Sequence, residues 1–172
     1  MASQVLLCLI VIPSAIYDYR WRRVPNWITL PGIVLGVALN YFVLGLLASL
    51  EGLGLAVAIY GLLYLLHAIG GGDLKLMAAL GAVAGPAHWL RIFILTALAG
   101  GLAALVYIVF RGRFRHTLSN MGVIVKSLAR GKPPHRVSPE LDVRTEAGAR
   151  VPQAVMIACA TVVYLCLMWL AR

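Results

Sequence analysis

Residues 53–75 read LGLAVAIYGLLYLLHAIGGGDLK, and this stretch decides the fold class. The part from 53 to 69 is almost entirely apolar and about 17 residues long, which is enough for an α-helix to cross the hydrocarbon layer of a membrane. Three glycines, residues 70–72, and then Asp73 directly follow this apolar run. An ionisable side chain at the end of a membrane span is costly to keep, so it usually has a function.

The composition of the whole chain agrees with a membrane protein. Of 172 residues, 62% are hydrophobic and 12% are charged, and the mean hydropathy is +0.90. This is far too apolar for a soluble domain of the same length. The first apolar run, residues 3–17, has no basic segment before it and no small-residue cleavage site after it. We therefore expect it to stay as a transmembrane helix.

Apolar runs along the chain predict an all-α, polytopic integral membrane protein with about six transmembrane helices. The fourth helix is short because Gly85 and Pro86 interrupt it, and we expect it to start deeper or to continue as a broken helix. Residues 1–172 are expected to form one membrane-embedded domain, with 110–151 as a basic cytoplasmic loop. The predicted spans are 3–17, 28–48, 53–69, 74–87, 90–110 and 152–170.

Basic residues are distributed very unevenly between the two sides of these spans. Of the 15 lysines and arginines, all except Arg91 and Arg172 fall on one side. Because basic loops stay in the cytoplasm, we expect both termini to lie outside the cytoplasm, in a protein of the inner membrane. Two helices separate Asp18 from Asp73, so both carboxylates are predicted on the cytoplasmic side.

The net charge of +9 therefore indicates topology and contact with lipid head groups, and we expect no nucleic-acid partner. Cys8, Cys159 and Cys166 fall inside apolar runs without paired spacing. They predict neither a zinc site nor a disulfide framework. No metal and no cofactor are expected.

Asp18 begins the first of two polar turns, DYRWRRVPNWIT. Pro25 disfavours helix at Val24 and suits the start of the next helix, with Asn26 close to its N-cap. The turn is thus a sharp reversal. Tyrosine, tryptophan and arginine are typical of a membrane interface, so a carboxylate paired with a neighbouring arginine is the structural alternative for Asp18.

Asp73 belongs to the second turn, GGGDLKL. Glycines allow a positive φ and let another chain approach closely, because they have no Cβ. We expect Gly70, Gly71 and Gly72 to close the third helix and Asp73 to open the fourth. A simple helix cap is the structural alternative for this aspartate.

Together the two turns predict a carboxylate pair that hydrolyses a peptide bond without a metal or a protein nucleophile. One carboxylate, ionised, takes a proton from water, while the other, protonated, donates to the carbonyl oxygen. Like charges close together in a poorly solvated site keep one of the two protonated. Asp18 and Asp73 would therefore act as a unit.

The pieces DYRWRRVPNWIT and GGGDLKLMAALGAVAG resemble the paired signatures of the short prepilin peptidases of the Tad type, which are membrane aspartic proteases with a G-x-G-D motif. Residues 151–158, VPQAVMIA, are similar to the start of that family's last helix, although Gln153 and Ala154 depart from its Pro-Tyr-Gly-like triplet. The G-x-G-D element is moderately specific by itself. Its combination with D-x-R-x-x-x-(I/V)-P-N is strong.

The resemblance implies roles for individual residues. Asp18 and Asp73 match the two catalytic aspartates, and Lys75 matches a basic position after the second. The glycines beside the second aspartate match Gly72 and either Gly70 or Gly71. Arg20 and Asn26 are expected to bind substrate or to shape the site, since an arginine of the first turn can pair with a substrate carboxylate.

The implied substrate is a prepilin or pseudopilin, whose short basic leader is cut on the cytoplasmic side. Pilus or secretion assembly components are further possible partners. Longer members of the family carry a cysteine-rich insertion associated with zinc and with N-methylation. Since this sequence has none, the resemblance implies cleavage without methyl transfer.

Two other interpretations remain open. The chain could be a non-enzymatic membrane scaffold or a transporter subunit of a pilus or secretion system, with aspartates that bind a cation or anchor helix ends. It could also be a different intramembrane protease that shares the G-x-G-D chemistry. Transport would be better supported by inverted repeats and midplane carboxylates, and the sequence shows neither.

Overall fold

The computed structural model describes residues 2–43, 45–111 and 153–171, and all regular secondary structure in these ranges is α-helical. Four of the described helices are long and apolar enough to cross a membrane, and α2 is apolar over a shorter length. The predicted all-α, polytopic class is confirmed. Almost all of the predicted basic loop, 110–151, lies outside the described residues. The helices are α1 (Ala2–Trp21), α2 (Asn26–Val43), α3 (Leu46–Leu65), α4 (Gly71–Arg111) and α5 (Gln153–Leu170).

The boundary between α2 and α3 differs from the prediction. The predicted second span, 28–48, runs past the observed end of α2 at Val43, and the predicted third span begins too late. Gly45 separates the two helices with a φ of 90°, a left-handed conformation that suits glycine. Apolar residues lie on both sides of this break, so hydropathy alone does not reveal it.

The helix α4 changes direction at Gly85, which has a φ of 73° and a ψ of 171°, and Pro86 follows it. The indole N–H of Trp89 donates to the carbonyl of Met77 at 3.0 Å. Residues this far apart would lie about 18 Å apart along a straight helix, so the chain must reverse sharply between them. The break was predicted from Gly85 and Pro86, and its two sides correspond to the predicted fourth and fifth helices.

Donors from neighbouring helices compensate for the break in α4. Pro86 has no N–H, which leaves the carbonyl of Ala82 without its donor inside the helix. The Asn40 Nδ2 donates to Ala82 O at 2.7 Å and to Val83 O at 3.0 Å, and the Ser49 Oγ donates to Ala82 O at 2.7 Å. Side chains from α2 and α3 therefore stabilise the reversal.

The first part of α4 lies at the centre of the bundle, because every residue from 76 to 85 is buried. Small residues allow α3 to approach it: a Cβ on Gly52 would lie 2.9 Å from Gly85 Cα. Membrane helices pack closely in this way, since backbones in contact gain van der Waals energy that lipid chains cannot supply. This central segment begins with the G-x-G-D turn and so fixes Asp73 within the bundle.

Candidate active site

Asp18 lies in the last turn of α1, on the buried face of that helix, and is only 8% exposed. The helix ends at Trp21, and Arg22 takes a left-handed φ of 52° while its N–H donates to Asp18 O at 2.8 Å. This is the left-handed cap that commonly terminates a helix. The exposed guanidinium of Arg22 also interacts electrostatically with the Asp18 carboxylate.

The Asp18 carboxylate also contacts the beginning of α5. Its Oδ2 accepts a hydrogen bond from the backbone N–H of Ala154, the second residue of α5, at 3.0 Å. The first N–H groups of a helix have no partner within it, and the positive end of the helix dipole favours a negative charge. The N-terminus of α5 therefore forms one wall of the site. The sequence pointed to this segment only through the resemblance of residues 151–158.

The G-x-G-D turn differs from its predicted geometry. The glycines were expected to close the third helix and Asp73 to open the fourth, but Gly71 and Gly72 already form the first turn of α4. Positive φ in this connection occurs instead at His67, at 59°. The glycines therefore contribute through their missing side chains more than through unusual backbone angles.

Each glycine of the turn faces a close neighbour. A Cβ on Gly72 would lie 3.2 Å from Val24 Cβ, which belongs to the turn after α1. A Cβ on Gly70 would lie 3.3 Å from Asp73 Oδ2, and one on Gly71 would lie 3.3 Å from the Tyr64 ring. These contacts are tighter than most side chains tolerate. Gly72 thus lets the two polar turns pack directly against each other, while Gly70 and Gly71 leave space for the Asp73 carboxylate and the Tyr64 ring.

Asp73 is the third residue of α4, and its carboxylate accepts a hydrogen bond from the backbone N–H of Gly70. An acidic group at this position commonly reaches back to the N-cap amide. The aspartate is also close enough to Asp18 for the two carboxylates to interact electrostatically. The structure therefore brings together two residues that lie far apart in the sequence.

Lys75 and Asn26 connect the two turns at the surface. The Lys75 Nζ donates to Asn26 Oδ1 at 2.9 Å, and both side chains are exposed. Since Asn26 begins α2 and Lys75 lies in the first turns of α4, this bond ties the starts of two helices beside the carboxylates. Arg20, by contrast, is exposed, and its guanidinium lies over the Trp21 ring, 5.4 Å from the ring centroid.

Tyr60 is a further polar residue near the pair, and the sequence did not single it out. It lies on α3, is 2% exposed and interacts electrostatically with Asp73. Its ring makes edge-to-face contacts with Trp89 and Phe93, at centroid distances of 6.4 and 6.0 Å. An aromatic residue in an apolar span gives no sign of this position, because such residues often face lipid.

The described residues contain no cluster of three or more histidine, cysteine, aspartate or glutamate side chains that could hold a metal ion. What the site offers is a pair of carboxylates, each with a backbone N–H donor from a helix N-terminus or the turn before it. Such a pair can hold one proton between its two members and can polarise a water molecule.

Comparison with known proteins identifies the family to which this chain belongs. The model of the type IV leader peptidase family matches residues 5–105, a range that includes both Asp18 and Asp73. The chain belongs to the type IV leader peptidase family. Together with the apolar helices, membership of this leader peptidase family indicates a multi-pass protein of the inner membrane. The resemblance found in the two sequence motifs is confirmed at the level of the family.

Curated relatives in the type IV leader peptidase family are named prepilin leader peptidase/N-methyltransferase. The protein from Neisseria gonorrhoeae is 34% identical over 118 residues, which cover 63% of this chain and 41% of the relative. Those from two strains of Burkholderia pseudomallei, 1026b and K96243, are 31% identical over 118 residues, covering 63% of this chain and 38% of each relative. The chain thus spans about two fifths of the length of these relatives. No solved structure matches it.

Proposed function

We propose that this chain is a membrane aspartic endopeptidase that removes the leader of prepilins or pseudopilins at the cytoplasmic face. The observation that carries the proposal is that the Asp18 and Asp73 carboxylates, which come from separate helices, lie close enough to interact electrostatically. Two carboxylates are costly to hold together inside an apolar bundle, and the cost is hard to explain by helix capping alone. Membership of the type IV leader peptidase family supports the same reaction.

The aspartate pair would work as a single acid and base. The ionised carboxylate takes a proton from water, and the water oxygen bonds to the scissile carbonyl carbon while the protonated carboxyl gives its proton to the carbonyl oxygen. The resulting tetrahedral intermediate loses the amine, which takes up a proton as the C–N bond breaks. The N–H groups of Ala154 and Gly70 hold the two carboxylates in place for these transfers.

The substrate would reach the pair from the side of the two turns. Its basic leader lies in the cytoplasm and its hydrophobic segment lies among the helices, so the scissile bond falls between them. The bond must be extended to be cut, and in this proposal its extended backbone lies beside the turn of Gly70, Gly71 and Gly72 that leads into Asp73. Positively charged loops on this side support the cytoplasmic orientation, with both termini on the other side.

Arg20, Asn26 and Lys75 have supporting roles in this proposal. The bond from Lys75 to Asn26 keeps the two turns at a fixed spacing and so shapes the entrance. Arg20 lies two residues after Asp18, is exposed, and would pair with a carboxylate of the substrate near the cleavage site. Lipid head groups surround the basic and aromatic residues of the same turn.

Co-expression with a candidate prepilin tests the function. We expect the intact mass of the pilin to fall by the mass of its leader, with an unmethylated new N-terminus and with no effect of a chelator on the purified enzyme. The control is the same prepilin expressed without the peptidase. An intact leader beside a correctly inserted protein and a demonstrated partner would favour the scaffold or transporter interpretation.

A further inference from the structure

A buried hydroxyl lies one helical turn from Asp18. Ser14 is 0% exposed, and its Oγ has no hydrogen-bond partner among the residues that the structure describes. Hydroxyls within membrane helices usually donate to a carbonyl of the preceding turn. Thr96 and Thr161 do so here, to the carbonyl oxygens four residues earlier, at 2.8 and 2.7 Å. Ser14 differs from both, because its hydroxyl is left available.

Ser14 occupies the same face of α1 as Asp18. The buried residues of this helix form a stripe that ends with Ser14 and then Asp18. Side chains four residues apart on a helix are neighbours, with Cβ atoms about 5 to 6 Å apart. Helical side chains also lean toward the N-terminus, so the Asp18 carboxylate leans toward the turn of Ser14. The hydroxyl and the carboxylate therefore lie on the same buried face of α1, with Ser14 one turn closer to the N-terminus of the helix.

A buried hydroxyl such as that of Ser14 is stable only if it has a hydrogen-bond partner. Burying a polar group without a hydrogen bond destabilises a protein, whereas alanine at the same position would leave nothing unpaired. The other neighbours of Ser14 on the stripe are apolar: Leu7, Ile10 and Val11. Asp18 is the other polar residue of this stripe, and a gap of one helical turn can be bridged by one water molecule.

We propose that Ser14 is a positioning residue that holds the water activated by Asp18 and Asp73. Its Oγ accepts one O–H of that water, and the other O–H points at the ionised carboxylate. During hydrolysis the second proton moves to the carboxylate and the oxygen bonds to the carbonyl carbon, while Ser14 keeps its own proton throughout. The inference rests on the proposed peptidase function and adds to it the residue that orients the nucleophile.

Cleavage kinetics test the inference. We expect Ser14→Ala to lower kcat at least tenfold, to leave KM within twofold, and to leave the melting temperature unchanged or higher, since it removes an unpaired polar atom. Ser14→Cys, which keeps a side chain of similar size and a weak hydrogen-bond acceptor, should give an intermediate kcat. Ser49→Ala on α3 is the matched control, because it removes a buried hydroxyl that already donates to Ala82 O, close to the break in α4 and away from Asp73. A kcat for Ser14→Ala within twofold of the unmodified protein would overturn the role.

An infrared measurement on the purified 172-residue protein separates this inference from the peptidase function. The protonated carboxyl of the aspartate pair gives a C=O stretching band, which is identified by its loss in Asp73→Asn. We expect Ser14→Ala to shift this band and Ser49→Ala to leave it in place. A band that stays in place in Ser14→Ala overturns the inference even if leaders are cut. Failure of the unmodified protein to cut any prepilin rejects the peptidase function instead. In that case the effect of Ser14→Ala on the band still tests whether Ser14 interacts with the carboxylate pair through a water molecule.

Discussion

The backbone N–H of Ala154 donates a hydrogen bond to Asp18 Oδ2 at 3.0 Å, and this bond joins the first helix of the protein to the last. It places the N-terminus of α5 against a carboxylate that belongs to the first polar turn. The two carboxylates and the N–H groups that bind them therefore come from three parts of the chain: the end of α1, the start of α4 with the turn before it, and the start of α5.

Removal of this N–H should impair catalysis without unfolding the helix. Proline is tolerated in the first turn of a helix but has no N–H, so Ala154→Pro removes the donor to Asp18. We expect a loss of at least tenfold in leader cleavage by the purified protein. Gln153→Pro is the matched control, because it alters the neighbouring residue and keeps the Ala154 donor. Equal activity of the two variants would argue against a role for this bond.

Gly72 should be sensitive to the addition of a single methyl group. In Gly72→Ala the new Cβ would lie 3.2 Å from Val24 Cβ, so the two polar turns must move apart. We expect cleavage to fall at least tenfold, measured as the initial rate of leader release, with partial recovery in the double variant Gly72→Ala, Val24→Gly, because glycine removes the Val24 Cβ that the new methyl group would meet. Gly61→Ala serves as control, since nothing lies within 4 Å of its added Cβ. A normal rate in Gly72→Ala would contradict the close packing of the turns.

Loss of the hydrogen bond between Lys75 and Asn26 should lower kcat/KM modestly, and by the same amount whichever of the two residues is replaced. Exposed polar pairs contribute only about 0 to 1 kcal/mol, so Lys75→Met and Asn26→Ala should each lower kcat/KM by a few fold. Since both variants break the same bond, the double variant should be no worse than the more impaired single variant. Additive losses in this double-mutant cycle would show that the two residues act separately.

Much of the fold follows from the sequence because a membrane helix must satisfy its own backbone hydrogen bonds. Long apolar runs therefore predict α1, α3, α4 and α5, and Gly85 with Pro86 predicts the break in α4. The donors that stabilise this break, Asn40 and Ser49, come from other helices, so they depend on packing that local sequence does not specify.

The candidate site likewise has some features that local sequence predicts and others that depend on packing between helices. The two aspartates stand out because carboxylates are rare in this chain, with Asp and Glu totalling 6 residues. The contact from Ala154 and the burial of Tyr60 were not predictable, since each depends on how distant helices meet. For the glycine turn the sequence left both positive φ and close approach open, because a glycine needed for close approach looks the same in sequence as one needed for its backbone angles. The structure shows the close approach.

Leader release by the purified protein is the most direct test of the aspartate pair. We expect Asp18→Asn and Asp73→Asn each to abolish cleavage of a synthetic prepilin while the protein remains inserted and folded, because neither aspartate can act without the other. Glu51→Gln, which alters an exposed carboxylate on α3, should cut at the unmodified rate. A near-normal rate in either asparagine variant would contradict the assignment of Asp18 and Asp73 as a catalytic pair.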